Sequence, residues 1–122
     1  MAAISMIEMC IPYPPSVNHY YRRVGNRTLI SREGRLFGDA VACRHAAMGA
    51  PLAEGNLALD IELYPPDNRR RDADNTIKPI QDALQKAGMF KDDSQIKRVT
   101  AEMLDTTPGG MAILRIREHK RR

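Results

Sequence analysis

The sequence predicts an α+β fold in which two main helices pack on a mixed β-sheet. Residues 56–64 alternate apolar and polar side chains, which is the pattern of a strand with one buried face. Residues 75–87 instead repeat apolar side chains at helical spacing, which is the pattern of a helix with one buried face. Further strand patterns lie near both ends, so the predicted order is strand, hairpin, helix, strand, helix, strand, strand.

The composition predicts one soluble domain over residues 1–122. Of the 122 residues, 43% are hydrophobic and 28% are charged, as in ordinary globular domains. We find no apolar run long enough to cross a membrane and no basic-then-apolar leader, so we expect a cytoplasmic protein without a membrane partner. Cys10 and Cys43 lack metal-binding spacing and are expected to be reduced thiols. The lack of a Gly-rich phosphate loop argues against a nucleotide triphosphatase.

The first part of the chain is predicted to form a strand and a hairpin. Residues 4–11 suit a strand that the following prolines end, since proline cannot donate to a strand ladder. Residues 16–19 suit a loop. Residues 20–30 suit a hairpin, because Gly25-Asn26 is a two-residue turn that matches the twist of paired strands.

Two helices are predicted from their end signals. Ser31 is expected to cap a helix that ends at Met48 or Gly49. A second helix is expected from Asn75 to Ala87, with Gly88 as its C-terminal stop. The predicted inward faces are Phe37, Ala40, Val41, Arg44 and Met48 in the first helix, with the apolar members in the core, and Ile77, Ile80, Leu84 and Ala87 in the second. The remaining segments are predicted as a loop at 89–94 and strands at 95–104 and 111–117.

Basic residues occur in three clusters on a chain with a net charge of +4. Clusters of this kind are the expected footprint of a nucleic-acid backbone. A solvated surface is the plain alternative, and it is the preferred interpretation for the last four residues. The clusters consist of Arg22, Arg23, Arg27, Arg32 and Arg35, then Arg69 to Arg71, then Arg115, Arg117, Lys120, Arg121 and Arg122.

A run of arginines followed by alternating carboxylates points to a metal-dependent reaction on a phosphodiester. Asp72 and Asp74 directly follow Arg69-Arg70-Arg71. Arginines attract a polyanion that carboxylates repel, unless a cation such as Mg²⁺ lies between them. In an extended segment the two aspartates would point the same way and share one ion. Asp92 or Asp93 could add a ligand by folding back beside the helix start, and Lys78 could offset developing negative charge.

Each of these residues also has a purely structural interpretation. Asp74 could cap a helix, Asp92 to Ser94 could form a turn, and Lys78 could be a solvated helix residue. The three histidines are scattered and receive no catalytic role. Composition therefore does not choose between a nuclease, a phosphatase and a nucleotide hydrolase. A DNA-binding module without catalysis and a metal-dependent hydrolase of small phosphoesters are the competing hypotheses.

The order of the motifs resembles that of the RusA family of Holliday junction resolvases. The matching segments are RDADNTIK at 71–78, Asp-Ala-Leu at 82–84, Gly88, and Asp-Asp-Ser-Gln at 92–95. Pro-Pro-Ser-Val-Asn at 14–18 and the tyrosines after it also resemble that family's opening. The resemblance covers nearly the whole chain. Ala73 is smaller than the usual family residue and Pro79 lies at a variable position, but neither is a proposed ligand.

The resemblance implies a homodimeric, Mg²⁺-dependent endonuclease, with Mn²⁺ as a possible substitute and no organic cofactor, that resolves four-way DNA by paired nicks in bacteria, prophages or phages. It implies that Asp72, Asp74 and Asp93 are the catalytic and metal-binding carboxylates and that Lys78 is needed for catalysis. Asp92 is an additional candidate ligand. Predicted DNA contacts are Arg69, Arg70, Arg71 and Asn75, the last in a supporting role.

Overall fold

The computed structural model describes residues 6–120, which form a four-stranded sheet, a separate hairpin and three helices. The elements are β1 (Ile7–Ile11), α1 (Val17–Tyr20), β2 (Tyr21–Val24), β3 (Arg27–Ile30), α2 (Arg32–Met48), β4 (Leu57–Tyr64), α3 (Ile77–Ala87), β5 (Ile96–Met103) and β6 (Met111–Glu118). Short 3₁₀ helices at Ala73–Thr76 and Asp93–Gln95 flank α3. This confirms the predicted α+β class, mixed sheet and two main helices.

The main sheet has the strand order β1-β6-β4-β5, with only β4 and β5 parallel. In β4, Leu59, Ile61 and Leu63 point to one face and are fully buried. Their partners across β6 are also apolar and buried, since Leu59 pairs with Ile116 and Ile61 with Leu114. The alternation of apolar and polar residues over 56–64 therefore marks the face of the sheet that is buried in the core, as predicted.

The opposite face of the sheet carries ion pairs across its strands. Arg115 on β6 contacts Glu8 on β1 at 2.8 Å and Glu62 on β4 at 3.0 Å, and Arg117 contacts Asp60 at 3.2 Å. Two arginines of the C-terminal basic cluster are thus paired with carboxylates of neighbouring strands, while Arg121 and Arg122 lie outside the described residues.

Helix α2 begins and ends where its capping residues predict. The Ser31 hydroxyl accepts a hydrogen bond from the Gly34 N–H at 3.0 Å, and Gly49 adopts a left-handed conformation with φ 65°. The inward face differs from the prediction at its end, because Met48 is 43% exposed while His45 is buried against α3 near Gly88. The buried residues of α2 are three or four positions apart and end at His45, so the last turn of the helix faces solvent.

Helix α3 follows a 3₁₀ turn, so regular α-helix begins at Ile77, slightly later than the predicted start. Because of this later start, Pro79 falls in the first turn of α3, where its missing N–H costs no hydrogen bond. Ile80 and Leu84 are fully buried as predicted. Ile77 and Ala87, at the two ends of the predicted face, are half-buried. Gly88 ends the helix with φ 94°.

The predicted loop at 16–19 is wrong, because Val17–Tyr20 forms a single helical turn. The Ser16 carbonyl accepts hydrogen bonds from the N–H groups of His19 at 2.9 Å and Tyr20 at 2.8 Å. The Tyr20 side chain is 1% exposed and fixes this turn to the core. The predicted strand at 4–11 is confirmed from Ile7 onward, and residues 4 and 5 lie outside the described part of the chain. No helix within residues 6–120 is both long and apolar enough to cross a membrane.

A side chain at Gly34 is expected to destabilise the contact between α1 and α2. A Cβ there would overlap the Tyr20 carbonyl oxygen and lie 2.8 Å from the Ile30 side chain. We expect Gly34→Ala to lower the free energy of unfolding by about 1–3 kcal/mol through overpacking. Gly38→Ala on the same helix meets no atom within 4 Å, and we expect it to raise stability by about 0.5–1 kcal/mol. Urea denaturation of both variants tests this, and equal effects would contradict it.

Candidate active site

A cavity of about 520 Å³ lies between the segment after β1 and the loop after β4. Its walls bring together a proline-rich segment, the three arginines and the first predicted metal ligand. The lining residues are Tyr13, Pro14, Pro15, Ser16 and His19 on the first segment, and Arg69, Arg70, Arg71, Asp72, Asn75 and Thr76 on the second. The cavity therefore joins basic side chains to a carboxylate.

The arginine loop is held by Asp67. Its carboxylate accepts a hydrogen bond from the Arg69 N–H at 3.0 Å and from the Arg71 guanidinium at 2.7 Å. The hydrogen bond from Arg71 is the main reason that the pKa of Asp67 lies well below its usual range. The Arg71 guanidinium also lies 5.6 Å from the centre of the Tyr13 ring, a cation–π distance. Arg71 is half-buried and shapes the loop. Arg69 and Arg70 are exposed to a ligand, although Nε of Arg69 also lies 3.3 Å from a carboxylate oxygen of Asp67.

Asp72 and Asp74 lie on either side of the first residue of a 3₁₀ turn. Asp72 has extended backbone (φ −101°, ψ 129°) and its carbonyl accepts the Asn75 N–H at 3.2 Å. Helical backbone begins at Ala73. The extended backbone that was expected to point both aspartates the same way therefore includes Asp72 but not Asp74. Asp72 lines the cavity, whereas Asp74 is exposed outside its wall. The buried Thr76 donates to the Ala73 carbonyl at 2.7 Å and stabilises the turn.

Lys78 projects from the first turn of α3 and is 61% exposed on its side chain. Its Nζ lies 3.7 Å from a carboxylate oxygen of Asp82, one turn further along. Burial raises the pKa of Asp82, and the nearby carboxylate of Asp93 raises it further. The Asp82 carboxylate thus lies near both the Lys78 ammonium group and the Asp93 carboxylate.

Asp93 lies beside the second half of α3, not beside the helix start where it was expected to fold back. Its N–H donates to Oε1 of Gln85 at 3.2 Å. Gln85 follows Lys78 by seven residues, which is about 10 Å along a helix axis at 1.5 Å per residue. Within one chain, therefore, Asp93 is separated from the Asp72–Asp74 turn by most of the length of α3.

Asp92 has a clear structural role as the cap of the second 3₁₀ turn. Its carboxylate accepts the Ser94 N–H at 3.0 Å, and this hydrogen bond is the main reason that its pKa is lowered. Gln95 completes a capping box by accepting the Asp92 N–H at 3.1 Å. The turn predicted as the structural interpretation of Asp92 to Ser94 is therefore present.

Gln95 also ties the Asp93 segment to the rest of the fold. Its Oε1 accepts N–H groups of Lys91 and Asp92, and its Nε2 donates to the carbonyls of Ala53 at 3.2 Å and Gly55 at 2.9 Å. All four hydrogen-bonding positions of this amide are used. The placement of Asp93 therefore depends on Gln95.

The donor chemistry fits a hard divalent cation. Within residues 6–120 there is no group of three or more His, Cys, Asp or Glu side chains placed to hold a metal ion. Two carboxylates, at Asp72 and Asp74, are nevertheless sufficient for Mg²⁺, which keeps several waters and takes the rest of its ligands from substrate phosphate. The single chain thus offers a partial ligand set of the kind that a phosphate-bound cation uses.

Four residues that shape this region received no role from the sequence alone. Asp67 organises the arginines, Gln95 holds the Asp93 segment, Asp82 pairs with Lys78, and His19 lines the cavity. The spacing of Lys78 and Asp82 at i and i+4 was a usable signal. The others depend on contacts that only the folded chain reveals.

A basic cavity with the carboxylates of Asp72 and Asp74 at its edge suits a class of protein that acts on phosphodiesters with a divalent cation. The family Endodeoxyribonuclease RusA matches residues 12–116 of the chain. The chain is 41% identical over 113 residues to the crossover junction endodeoxyribonuclease RusA of Escherichia coli K12, covering 91% of this chain and 93% of that protein. Identity is also 41%, over 114 residues and with the same coverage, to the crossover junction endodeoxyribonuclease of Enterobacteria phage 82. The chain belongs to the RusA family and is an endodeoxyribonuclease, a hydrolase of phosphodiester bonds.

Replacement of Gln95 should weaken both the fold and the Asp93 segment. We expect Gln95→Ala to lower the free energy of unfolding by about 1–3 kcal/mol, because the backbone groups that it serves lose their partners. Gln95→Glu keeps the acceptor for Lys91 and Asp92 but places a carboxylate against two carbonyl oxygens, so we expect destabilisation here as well. Urea denaturation measures both effects.

The matched control is Lys97→Ala on the neighbouring exposed position, which should change stability by no more than about 0.5 kcal/mol. Wild-type stability in both Gln95 variants would show that the amide does not hold this segment.

Proposed function

We propose that this protein is a Mg²⁺-dependent Holliday junction resolvase that cuts four-way DNA by paired symmetric nicks. The observation that carries the proposal is the placement of Asp72 and Asp74 on a rigid turn at the edge of an arginine-lined cavity, in a chain of the RusA family. Relatives that share 41% identity over 91% of the chain are named crossover junction endodeoxyribonucleases. Bacterial and phage relatives also support action on DNA in the bacterial cytoplasm.

The residues suggest a division of labour in the reaction. Asp72 and Asp74 would hold Mg²⁺, and Asp93 would complete the ligand set after its segment moves towards them. Mn²⁺ could substitute because both ions accept carboxylate and water oxygens. Such a cation, when bound, lowers the pKa of a coordinated water and neutralises phosphate charge. Lys78, at the start of α3, would stabilise charge that develops on the phosphate oxygens. Asp92 is a weaker candidate ligand because one of its oxygens already caps a turn.

DNA binding would use the exposed donors around the cavity. Arg70 is exposed, and Arg69 is 79% exposed on its side chain although its Nε lies 3.3 Å from a carboxylate oxygen of Asp67, so both would reach phosphates on either side of the cut. Arg71 would support them through Asp67. Asn75 lies in the same wall and adds a neutral donor. Lys and Arg contacts of this type carry most of the affinity for DNA without reading its sequence.

A homodimer would match the symmetry of the substrate. A four-way junction has two equivalent strands to cut, and a two-fold dimer presents two identical sites in matching relation to them. Because Asp93 and Asp72 lie apart within one chain, the Asp93 segment would have to move towards Asp72 when DNA and a second protomer are bound, so that both carboxylates reach one cation. Paired cutting follows from this symmetry when both sites act on one bound junction.

The Asp72→Asn variant tests the assignment on a mobile synthetic four-way junction. We expect the wild type to make paired symmetric nicks only with Mg²⁺. We expect Asp72→Asn and Asp93→Asn to lose cleavage while keeping junction affinity, because phosphate contacts supply the binding. Asp39→Asn, which neutralises an exposed carboxylate on α2, is the matched control and should cut normally.

Full activity in either active-site variant would remove that residue from the catalytic set. Tight binding without any cut by the wild type would favour a binding module. Faster turnover of a small phosphoester than of DNA would favour a general phosphoesterase.

Lys78→Ala tests whether this lysine acts in the chemical step. We expect single-turnover cleavage to fall by about 10²–10³-fold, as when one preorganised charge-stabilising donor is removed, with little change in junction affinity. Lys86→Ala is the matched control, because Lys86 lies two turns along the same helix and also interacts with Asp82. Equal losses of binding and cleavage in Lys78→Ala would reduce its role to a phosphate contact.

A further inference from the structure

His19 lies in the wall of the proposed cleavage site, and the functions assigned above do not use it. It shares the cavity with Asp72 and the three arginines. Its side chain is exposed, so a ligand in the cavity can reach it. The cavity therefore offers an exposed imidazole, a carboxylate and three guanidinium groups to any ligand that it binds.

The imidazole has a defined orientation because Ser16 holds one of its nitrogens. The Ser16 hydroxyl oxygen lies 2.9 Å from Nδ1 of His19. When the ring is neutral, the hydroxyl can donate to Nδ1, which leaves the ring proton on Nε2; when the ring is charged, both nitrogens carry protons. With this tautomer of the neutral ring, and in the charged ring, Nε2 presents an N–H. No other hydrogen bond to this ring occurs within residues 6–120.

The backbone of His19 is fixed as firmly as its ring. The Ser31 hydroxyl donates to the His19 carbonyl, and the Ser31 N–H donates to the Tyr20 carbonyl at 2.8 Å. The buried Tyr20 side chain and the close approach of Gly34 hold the same turn against α2. A donor on such a support is preorganised, so little entropy is lost when it binds a ligand.

The position of the aspartates indicates which phosphate His19 would meet. A phosphate that is cut must approach both Asp72 and Asp74, but only Asp72 lines the cavity. The reacting phosphate therefore belongs at the cavity's edge, and the cavity itself is left for an adjoining part of the same strand. Its other charged walls are arginines, which favour an anion.

We propose that His19 is a DNA-binding residue of the cleavage site, oriented by Ser16, whose Nε2–H contacts the phosphate next to the one that is cut. This inference rests on the proposed function and adds a contact to it. The role is recognition of phosphate, and no proton transfer is required of the imidazole.

Substitutions at His19 and Ser16 test the contact. We expect His19→Ala to weaken junction affinity and single-turnover kcat/KM by about 10-fold, the value of one hydrogen bond to a charged group. His19→Arg should recover to within about 3-fold of wild type, because arginine also donates to phosphate. Ser16→Ala should lose less than His19→Ala. Asn18→Ala, an exposed neighbour outside the cavity wall, should leave both measurements unchanged.

Junctions with a single neutral methylphosphonate identify the phosphate. In the wild type, the substitution at the phosphate adjoining the cut should cost about 10-fold, and in His19→Ala it should cost nothing further, since the contact is already lost. At other phosphates the two losses should multiply. This double-mutant cycle assigns His19 to one phosphate group independently of its overall effect on activity.

Three results would overturn the proposal. They are unchanged affinity in His19→Ala, losses that multiply at every phosphate, and a His19→Arg variant as impaired as His19→Ala, which would mean that arginine's charge and donors cannot replace the imidazole. Affinity measured without a divalent cation tests the contact even when no strand is cut. Wild-type cleavage of the unmodified junction in the same assay shows that the proposed function stands if the contact fails.

Discussion

The parallel pairing of β4 and β5 is the constraint on which the geometry of the site depends. Two parallel neighbours cannot be joined by a tight turn, so the chain must cross from the end of β4 back to the start of β5. Helix α3 makes this crossing, and its 11 residues span about 16 Å at 1.5 Å per residue. The Asp72–Asp74 turn precedes the helix and Asp93 follows it, so the two parts of the predicted ligand set lie at opposite ends of the crossover.

The predictions that succeeded concern local structure. Local signals were sufficient wherever a residue acts on its immediate neighbours. Ser31 caps α2 through an N–H three residues away, Gly88 ends α3, and the alternation in β4 gives its buried face. The Gly25-Asn26 turn joins the hairpin as expected. These features depend on backbone geometry and burial, which the sequence pattern expresses directly.

Features that depend on contacts distant in sequence could not be predicted in this way. Asp93 was expected near the helix start because the two segments adjoin α3, but sequence proximity does not reveal which end of a helix a loop meets. Gln95 binds carbonyls about 40 residues earlier in the chain. His19 reaches the cavity because one turn of helix forms where a loop was expected, and Tyr20 fixes that turn through burial.

The distribution of free and paired charges gives a more specific picture of DNA binding than the net charge of +4. Arg71 is occupied by Asp67, and Arg115 and Arg117 by carboxylates of the sheet. By contrast, the arginines of the β2–β3 hairpin are exposed, and none forms a salt bridge within residues 6–120.

An unpaired arginine keeps its full attraction for a phosphate, whereas a paired one must first give up its partner. The hairpin begins at Tyr21, directly after α1 and two residues after His19 of the cavity wall, so its unpaired arginines follow the cavity wall closely in the chain. A strand bound at Asp72 would therefore be attracted towards the hairpin side of the cavity, and the ion-paired face of the sheet would contribute little to its binding.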